Sequence, residues 1–123
     1  MTGKDIDPVE AFDLHIAHIG INASDEEDAK RIAGLFETLF GLEQHATPIS
    51  IFSDSLIETM KGCGRGEMGH IGLHVNDIAA AESYFTERGL TINEDSRAFN
   101  PDGTVKLVYF NEEIAGFAIH LCS

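Results

Sequence analysis

The chain of 123 residues lacks any apolar run of about 18 residues, so no transmembrane helix is expected. Its polar, acidic N-terminus lacks the basic and apolar segments of a signal peptide, which predicts a cytoplasmic protein. Only two cysteines are present, Cys63 and Cys122, and they form neither a CxxC pair nor a zinc-knuckle spacing. Free thiols are therefore expected, with a disulfide as the alternative.

Basic residues are also few. The chain has 8 Lys and Arg against 21 Asp and Glu, for a formal net charge of −13. Such a charge repels phosphate backbones and anionic membranes, so neither nucleic acid nor a membrane is an expected partner. It also disfavours loose capture of anionic substrates, unless a bound divalent cation reverses the sign locally. Solubility is the simplest account of the charge.

Two segments of the chain are nearly alike: His18-Ile19-Gly20-Ile21-Asn22 and His70-Ile71-Gly72-Leu73-His74. Side chains alternate across a strand, so each opening histidine shares a face with the glycine two residues later. A helix follows each strand, one from an N-cap at Ser24 to about residue 40 and one over about 77–88. Three strands then complete each half: near 43–47, 49–53 and 56–61, and near 90–94, 104–111 and 116–122.

This pattern predicts one α+β domain made of two tandem βαβββ modules. The predicted divisions are an N-terminal tail (1–14), module 1 (15–61), a glycine-rich linker (62–69) and module 2 (70–123). The longer excursion around 95–103 is a candidate lid or substrate-side loop. Six apolar residues of the first helix recur at helical spacing and are expected in the core: Ala29, Ile32, Ala33, Phe36, Leu39 and Phe40.

The last strands of the two modules carry a second matched pair. Aligning Ile57-Glu58 with Ile119-His120 puts Glu58 and His120 at the same strand position. With His18 and His70 they form a two-fold related set of imidazole nitrogens and one carboxylate. These donors suit a divalent ion such as zinc, nickel, cobalt, manganese or iron. The alternative is that they are ordinary strand residues whose side chains satisfy backbone groups.

The repeated module order and the two His-Ile-Gly openings resemble the vicinal oxygen chelate superfamily, which includes glyoxalase I, extradiol dioxygenases, methylmalonyl-CoA epimerase and bleomycin-resistance proteins. The resemblance covers about residues 15–123 and implies the glyoxalase/bleomycin resistance fold, in which curved sheets form a cup around a metal. The first and last strands of each module supply the ligands, at the positions of His18, Glu58, His70 and His120. More narrowly, residues 12–22 and 116–121 resemble a glyoxalase-like domain that is appended to some bacterial 2-keto-3-deoxy-6-phosphogluconate aldolases. The aldolase barrel itself has no counterpart in this sequence.

The resemblance implies a glyoxalase-like, divalent-metal-dependent lyase or isomerase. Such an enzyme chelates two neighbouring oxygens of a small oxygenated substrate and stabilises an enediolate. Glyoxalase-like members usually have glutamate where this chain has His120, so Glu58 is the one carboxylate left for proton transfer. The alternatives are a non-catalytic small-molecule-binding or aldolase-accessory module and an iron-dependent dioxygenase.

Further residues are candidates for binding the substrate: His74, Phe52, Arg97 and Tyr109, with Arg65 and Lys106 also within possible reach. His15 and His45 are expected on the surface. Exposed sheet edges on two small modules favour a homodimer. The superfamily leaves open whether the cup forms within one chain or across such a dimer.

Overall fold

The computed structural model describes residues 6–123. The helices are α1 (Pro8–Ala11), α2 (Glu26–Phe40) and α3 (Ile78–Thr86). The strands are β1 (His15–Asn22), β2 (Gln44–Ala46), β3 (Ser50–Ser53), β4 (Ile57–Met60), β5 (Gly69–His74), β6 (Ile92–Phe99), β7 (Val105–Ile114) and β8 (Phe117–Cys122). None of the described helices is long and apolar enough to cross a membrane.

The eight strands form one sheet in the order β2-β3-β4-β1-β5-β8-β7-β6. Each half follows the order βαβββ, which confirms the predicted α+β fold of two tandem modules. The two modules join through β1 and β5, which pair antiparallel, while β4 lies parallel to β1 and β8 parallel to β5. The first and last strands of both modules are therefore the four central strands, and the cup forms within one chain.

The cap of α2 lies one residue later than the sequence suggested. The side chain of Asp25 accepts the backbone N–H of Asp28 and caps the helix. Ser24 does not cap the helix with its side chain; its backbone N–H and its hydroxyl both donate to the Asp28 carboxylate. The helix ends at Gly41, whose φ of 74° is the left-handed conformation that favours glycine.

The N-terminal segment differs from the expected tail where it is described. Residues 1–5 lie outside the described residues, but 8–11 form α1, with Asp7 as its N-cap. Phe12 is buried in the main core, where its ring packs against Tyr84 and Phe85 of α3. Burial of a phenylalanine side chain contributes about 1.5–3 kcal/mol, which explains why this segment is held against module 2.

The apolar face of α2 is only partly covered. Ala29 and Ala33 are buried against Ile51 as predicted. Leu39 and Phe40, also expected in the core, are instead 67% and 69% exposed. The reason is that α2 packs over β2, β3 and β4, which leaves the end of its apolar face over open solvent.

The candidate lid is a strand over much of its length. Residues 92–99 form β6 and pair with β7, so the prediction of an excursion at 95–103 was wrong for 95–99. The Ser96 hydroxyl holds this irregular strand, because it donates to the carbonyl of Asn93 and accepts the backbone N–H of Tyr109. A tight turn remains at 100–104, where the Asn100 N–H donates to the Thr104 carbonyl.

Candidate metal centre

The four predicted ligands lie on the four central strands: Glu58 on β4, His18 on β1, His70 on β5 and His120 on β8. The register arranges them in two rows, each with a glycine in the middle. Gly20 pairs with Glu58 on one side and with His70 on the other. Gly72 pairs in the same way with His18 and His120. The repeated His-Ile-Gly segment therefore places each glycine beside the histidine of the other module.

The two glycines make room for the imidazole rings. A Cβ added to Gly20 would overlap the His70 ring. A Cβ added to Gly72 would lie 2.7 Å from Cε1 of His18 and 2.8 Å from Cε1 of His120, closer than real Cβ contacts. With no side chain between them, the flanking groups lean over the glycines toward a common point.

The ring nitrogens of the three histidines converge on that point. Nε2 of His18 lies 3.2 Å from Nε2 of His70 and 3.2 Å from Nε2 of His120. Oε1 of Glu58 lies 3.1 Å from Nε2 of His70 and 3.5 Å from Nε2 of His18. His70 and His120 are each only 2% exposed, so these donors face one another at the buried floor of the cup.

The spacing fits a divalent transition-metal ion. Donors about 2.0–2.2 Å from a zinc ion lie about 3.0–3.5 Å from one another in tetrahedral or octahedral geometry. Four of the six separations, 3.1 to 3.5 Å, lie in that range. The ligand nitrogens of the three histidines all lie within 4.8 Å of one another, and Glu58 is close to His18 and His70 but is not part of that group. Unpaired nitrogen lone pairs at such distances repel one another, so a proton or a cation between them stabilises the arrangement. The residues present therefore fit a metal ion.

The protonation states also suit a metal ion. Burial lowers the pKa of His18, with Glu58 opposing this effect and His70 adding to it. Burial, followed by the charge of neighbouring His18, lowers the pKa of His120 to about 4. Burial raises the pKa of Glu58, but hydrogen bonds from His70 and Ser50 outweigh it and bring the pKa below its usual value. At neutral pH these two imidazoles are neutral and the carboxylate is ionised, as metal ligands must be.

Ser50 fixes the orientation of Glu58. Its hydroxyl donates to Oε2 of Glu58 at 2.7 Å, which leaves Oε1 directed at the histidines. Ser50 is fully buried on β3, and its own hydroxyl lies 2.8 Å from that of Thr47. A residue that hydrogen-bonds to a ligating carboxylate without binding the metal itself, as Ser50 does here, orients that carboxylate and raises the affinity of the metal site.

We expect Ser50→Ala to weaken metal binding about 10- to 100-fold, because the Glu58 carboxylate loses the bond that orients it. A competition titration with zinc and a chromophoric chelator measures this change. Ser53→Ala is the matched control, since Ser53 is equally buried on the same strand and its hydroxyl has no hydrogen-bond partner among the described residues. Equal zinc affinity for Ser50→Ala and Ser53→Ala would contradict the role of Ser50.

The cluster lies at the floor of a cavity of about 780 Å³. Both modules and the 61–68 segment line it: His18, Thr47, Pro48, Ile49, Phe52, Glu58, Met60, Cys63, Arg65, His70, Ser96, Lys106, Leu107, Tyr109, His120, Cys122 and Ser123. The Phe52 ring stands edge-on to His18, with centroids 5.7 Å apart, and the Tyr109 ring lies 4.8 Å from His120. Burial, followed by the Glu58 charge, raises the pKa of Tyr109 to about 12, so its hydroxyl stays protonated.

Two of the predicted substrate-binding residues, Phe52 and Tyr109, thus line the cavity, whereas Arg97 and His74 do not. Arg97 forms ion pairs at 2.7 Å with Glu82 of α3 and at 2.8 Å with neighbouring Glu94. Its position in β6 directs it to these carboxylates. His74 shares the face of His70, but it lies at the far end of β5, outside the set of residues that line the cavity.

His74 belongs to a second, more exposed cluster at the end of β5. Its ring stacks on that of His15 at a centroid distance of 4.6 Å, and its Nε2 lies 3.8 Å from Asp13 Oδ2. The register shifts between Ile16 and His18, so His15 faces the same side as His18 although the two are three positions apart. This cluster is a control site in the metal experiments below.

The roles of Gly20, Gly72, Ser50 and Ser96 were not predicted from the sequence. The glycines carried a signal, because they recur at the same place in both halves and on the histidine face. Ser50 and Ser96 carried none, since their contacts depend on which strand lies next to β4 and on the irregular pairing of β6 with β7.

No family model and no curated protein matches the chain, whereas solved structures do. A hypothetical protein from Bacillus halodurans is 17% identical, with a TM-score of 0.61 over 89% of this chain and 93% of that one. A methylmalonyl-CoA epimerase in complex with methylmalonyl-CoA and NH4+ is 16% identical, with a TM-score of 0.60 over 86% and 91%. A variant of the Streptomyces coelicolor methylmalonyl-CoA epimerase, in complex with 2-nitronate-propionyl-CoA, is 15% identical, with a TM-score of 0.59 over 87% and 92%. At these identities the likeness establishes a shared fold.

Proposed function

We propose that this protein is a divalent-metal-dependent isomerase or lyase acting on a small substrate with two neighbouring oxygens. The observation that carries the proposal is the convergence of three imidazoles in an open cavity, with the Glu58 carboxylate 3.1 Å from Nε2 of His70. The shared fold with methylmalonyl-CoA epimerase, an isomerase by name, supports the same kind of chemistry.

In this proposal His18, His70, His120 and Glu58 hold the metal. A bound divalent ion supplies Lewis-acid polarisation of the substrate oxygens, at a site where imidazole ligands and a single carboxylate leave it a net positive charge. The donor set suits zinc, nickel, cobalt, manganese and iron alike. The buried floor excludes water from the back of the site, and the cavity admits the substrate from the other side.

We assign proton transfer to Glu58. It is the only side-chain carboxylate that lines the cavity within the described residues. Its depressed pKa keeps it ionised at neutral pH, and Ser50 holds Oε2 while Oε1 faces the histidines. His120, at the equivalent position of the other module, is a poor base when its Nε2 binds a metal. Glu58 acts as the base once its Oε1 leaves the metal, so one carboxylate acts instead of a pair. The protonated Tyr109 hydroxyl is a donor for a developing oxyanion.

We expect metal-loaded protein to exchange a carbon-bound proton next to a carbonyl group for solvent deuterium, because a lyase or isomerase of this class must remove that proton. The measurement is proton NMR in deuterium oxide on a defined panel of 2-oxo acids, 2-hydroxycarbonyl compounds and methylmalonyl-CoA. Chelation of the metal should abolish the exchange, and re-addition should restore it.

The same panel separates the alternatives. Binding without exchange for every member of the panel, by protein that carries metal, would contradict an isomerase or lyase and favour a small-molecule-binding or aldolase-accessory module. Oxygen consumption that requires ferrous iron would favour a dioxygenase. The predicted homodimer is tested separately, by light scattering of the purified protein.

A further inference from the structure

Two basic residues that line the cup form no ion pair with any carboxylate in the described part of the chain. Seven of the eight Lys and Arg residues lie in the described part of the chain. Four of them form ion pairs with carboxylates: Lys30, Arg31, Lys61 and Arg97. A fifth, Arg88, stacks on Tyr84 and donates to its carbonyl, away from the cavity. Arg65 and Lys106 have no ion pair within residues 6–123, and both line the cup.

Arg65 is oriented for binding an anion. Its guanidinium group lies 4.7 Å above the centre of the Tyr109 ring. Its N–H donors form no ion pair within residues 6–123, so they remain available for a carboxylate or a phosphate. The segment that carries it is fixed, because Asn22 donates to the Gly66 carbonyl at 2.8 Å.

The position of Arg65 relative to the histidine cluster is also defined. The Tyr109 ring is next to both groups, 4.7 Å from the Arg65 guanidinium and 4.8 Å from the His120 ring. Ser96 holds the backbone of Tyr109 by accepting its N–H at 2.8 Å. Arg65 therefore lies one aromatic side chain away from the cluster that would bind the metal.

With a divalent ion bound, the charge of the cup would be opposite to that of the whole protein. Glu58 is the only side-chain carboxylate among the described residues that line it, and a divalent ion more than balances its charge. Arg65 and Lys106 add two further positive charges, in a chain whose formal net charge is −13. An anion repelled by the rest of the surface is thus attracted at this one place.

We propose that the substrate is an anion with two separated polar ends, which the cup binds at both. One end carries the neighbouring oxygens directed at the histidine cluster, and the other is a carboxylate or phosphate bound by Arg65 and Lys106 elsewhere on the cavity wall. This inference rests on the proposed function, because it takes the histidine cluster as the site of the first end.

The test measures binding of three probes to zinc-loaded protein by isothermal titration calorimetry. Succinate and 3-phosphonopropionate each carry a second anionic group, as carboxylate and as phosphonate, whereas monomethyl succinate lacks it. We expect the doubly anionic probes to bind wild type about 10- to 100-fold more tightly than the monoester, as charge-assisted hydrogen bonds would give. Tighter binding of succinate would indicate a carboxylate at the second end of the substrate, and tighter binding of 3-phosphonopropionate would indicate a phosphate.

In the double variant Arg65→Gln/Lys106→Gln we expect this ratio to fall to near one, with affinity for the monoester unchanged. Lys30→Gln/Arg88→Gln is the matched control, because it removes the same charge outside the cavity and should keep the wild-type ratio. An unchanged ratio in the cup variant, an equal loss in the control, or no binding of succinate to wild type would each overturn the proposal. Failure of the metal site itself is distinguishable, because it abolishes zinc loading and monoester binding in every protein.

Discussion

Gly20→Ala is expected to abolish tight metal binding, although it adds only one methyl group. The backbone of Gly20 does not have positive φ, so alanine is compatible with the strand at this position. The added Cβ instead overlaps the His70 imidazole and forces it away from His18 and Glu58. We expect zinc affinity to fall by at least about 100-fold, the upper range for loss of a partner outside the coordination sphere.

Competition titration measures the affinity, and thermal denaturation of the metal-free protein measures the folding cost, expected at about 1–3 kcal/mol from overpacking. Gly34→Ala is the matched control, because nothing lies within 4 Å of its added Cβ on α2. It should keep zinc affinity and gain about 0.5–1 kcal/mol of stability.

The double variant Gly20→Ala/His70→Ala should recover folding stability without recovering metal binding, since it removes the ring that the methyl group overlaps. Wild-type zinc affinity in Gly20→Ala would contradict the proposed geometry.

His70→Ala is expected to abolish both metal binding and turnover while the fold is retained. Nε2 of His70 faces both His18 and Glu58, so its loss removes the donor that joins the two rows. The decrease in zinc affinity should exceed that of Ser50→Ala, because a direct ligand is removed instead of its support. Circular dichroism checks that the fold is retained.

His74→Ala provides the control for this variant. His74 lies on the same face of the same strand, two positions beyond Gly72, but contacts His15 and Asp13 instead of the central cluster. It should keep at least one tightly bound metal ion and full proton exchange. Loss of exchange in His74→Ala, with exchange retained in His70→Ala, would place the chemistry at the other cluster.

The alternation of side chains in the two repeated strands predicted which residues of each module share a face. His18 and His70 had to share a face with Gly20 and Gly72, and module symmetry linked Glu58 with His120. These positions depend on local periodicity and on the repeat, and both are visible in the sequence. The order of the strands in the sheet then brings the four together, which the resemblance implied and residue patterns alone did not.

Contacts between distant segments were the part that the sequence could not provide. Arg97 was a candidate for substrate binding, but Glu82, on a helix fifteen residues earlier, pairs with it. Nothing in the local pattern favoured Arg65 over Arg97, because periodicity does not encode the direction of a glycine-rich segment. His15 shares the face of His18 only because the strand register shifts near Ala17, since regular alternation would put residues three positions apart on opposite faces.

The most direct test of the metal centre is a crystal structure of zinc-loaded protein with anomalous diffraction recorded at the zinc edge. The proposal predicts one strong anomalous peak about 2.0–2.2 Å from Nε2 of His18, His70 and His120 and from a carboxylate oxygen of Glu58. A map with no peak at these atoms, or with its only peak between Asp13, His15 and His74, would contradict it.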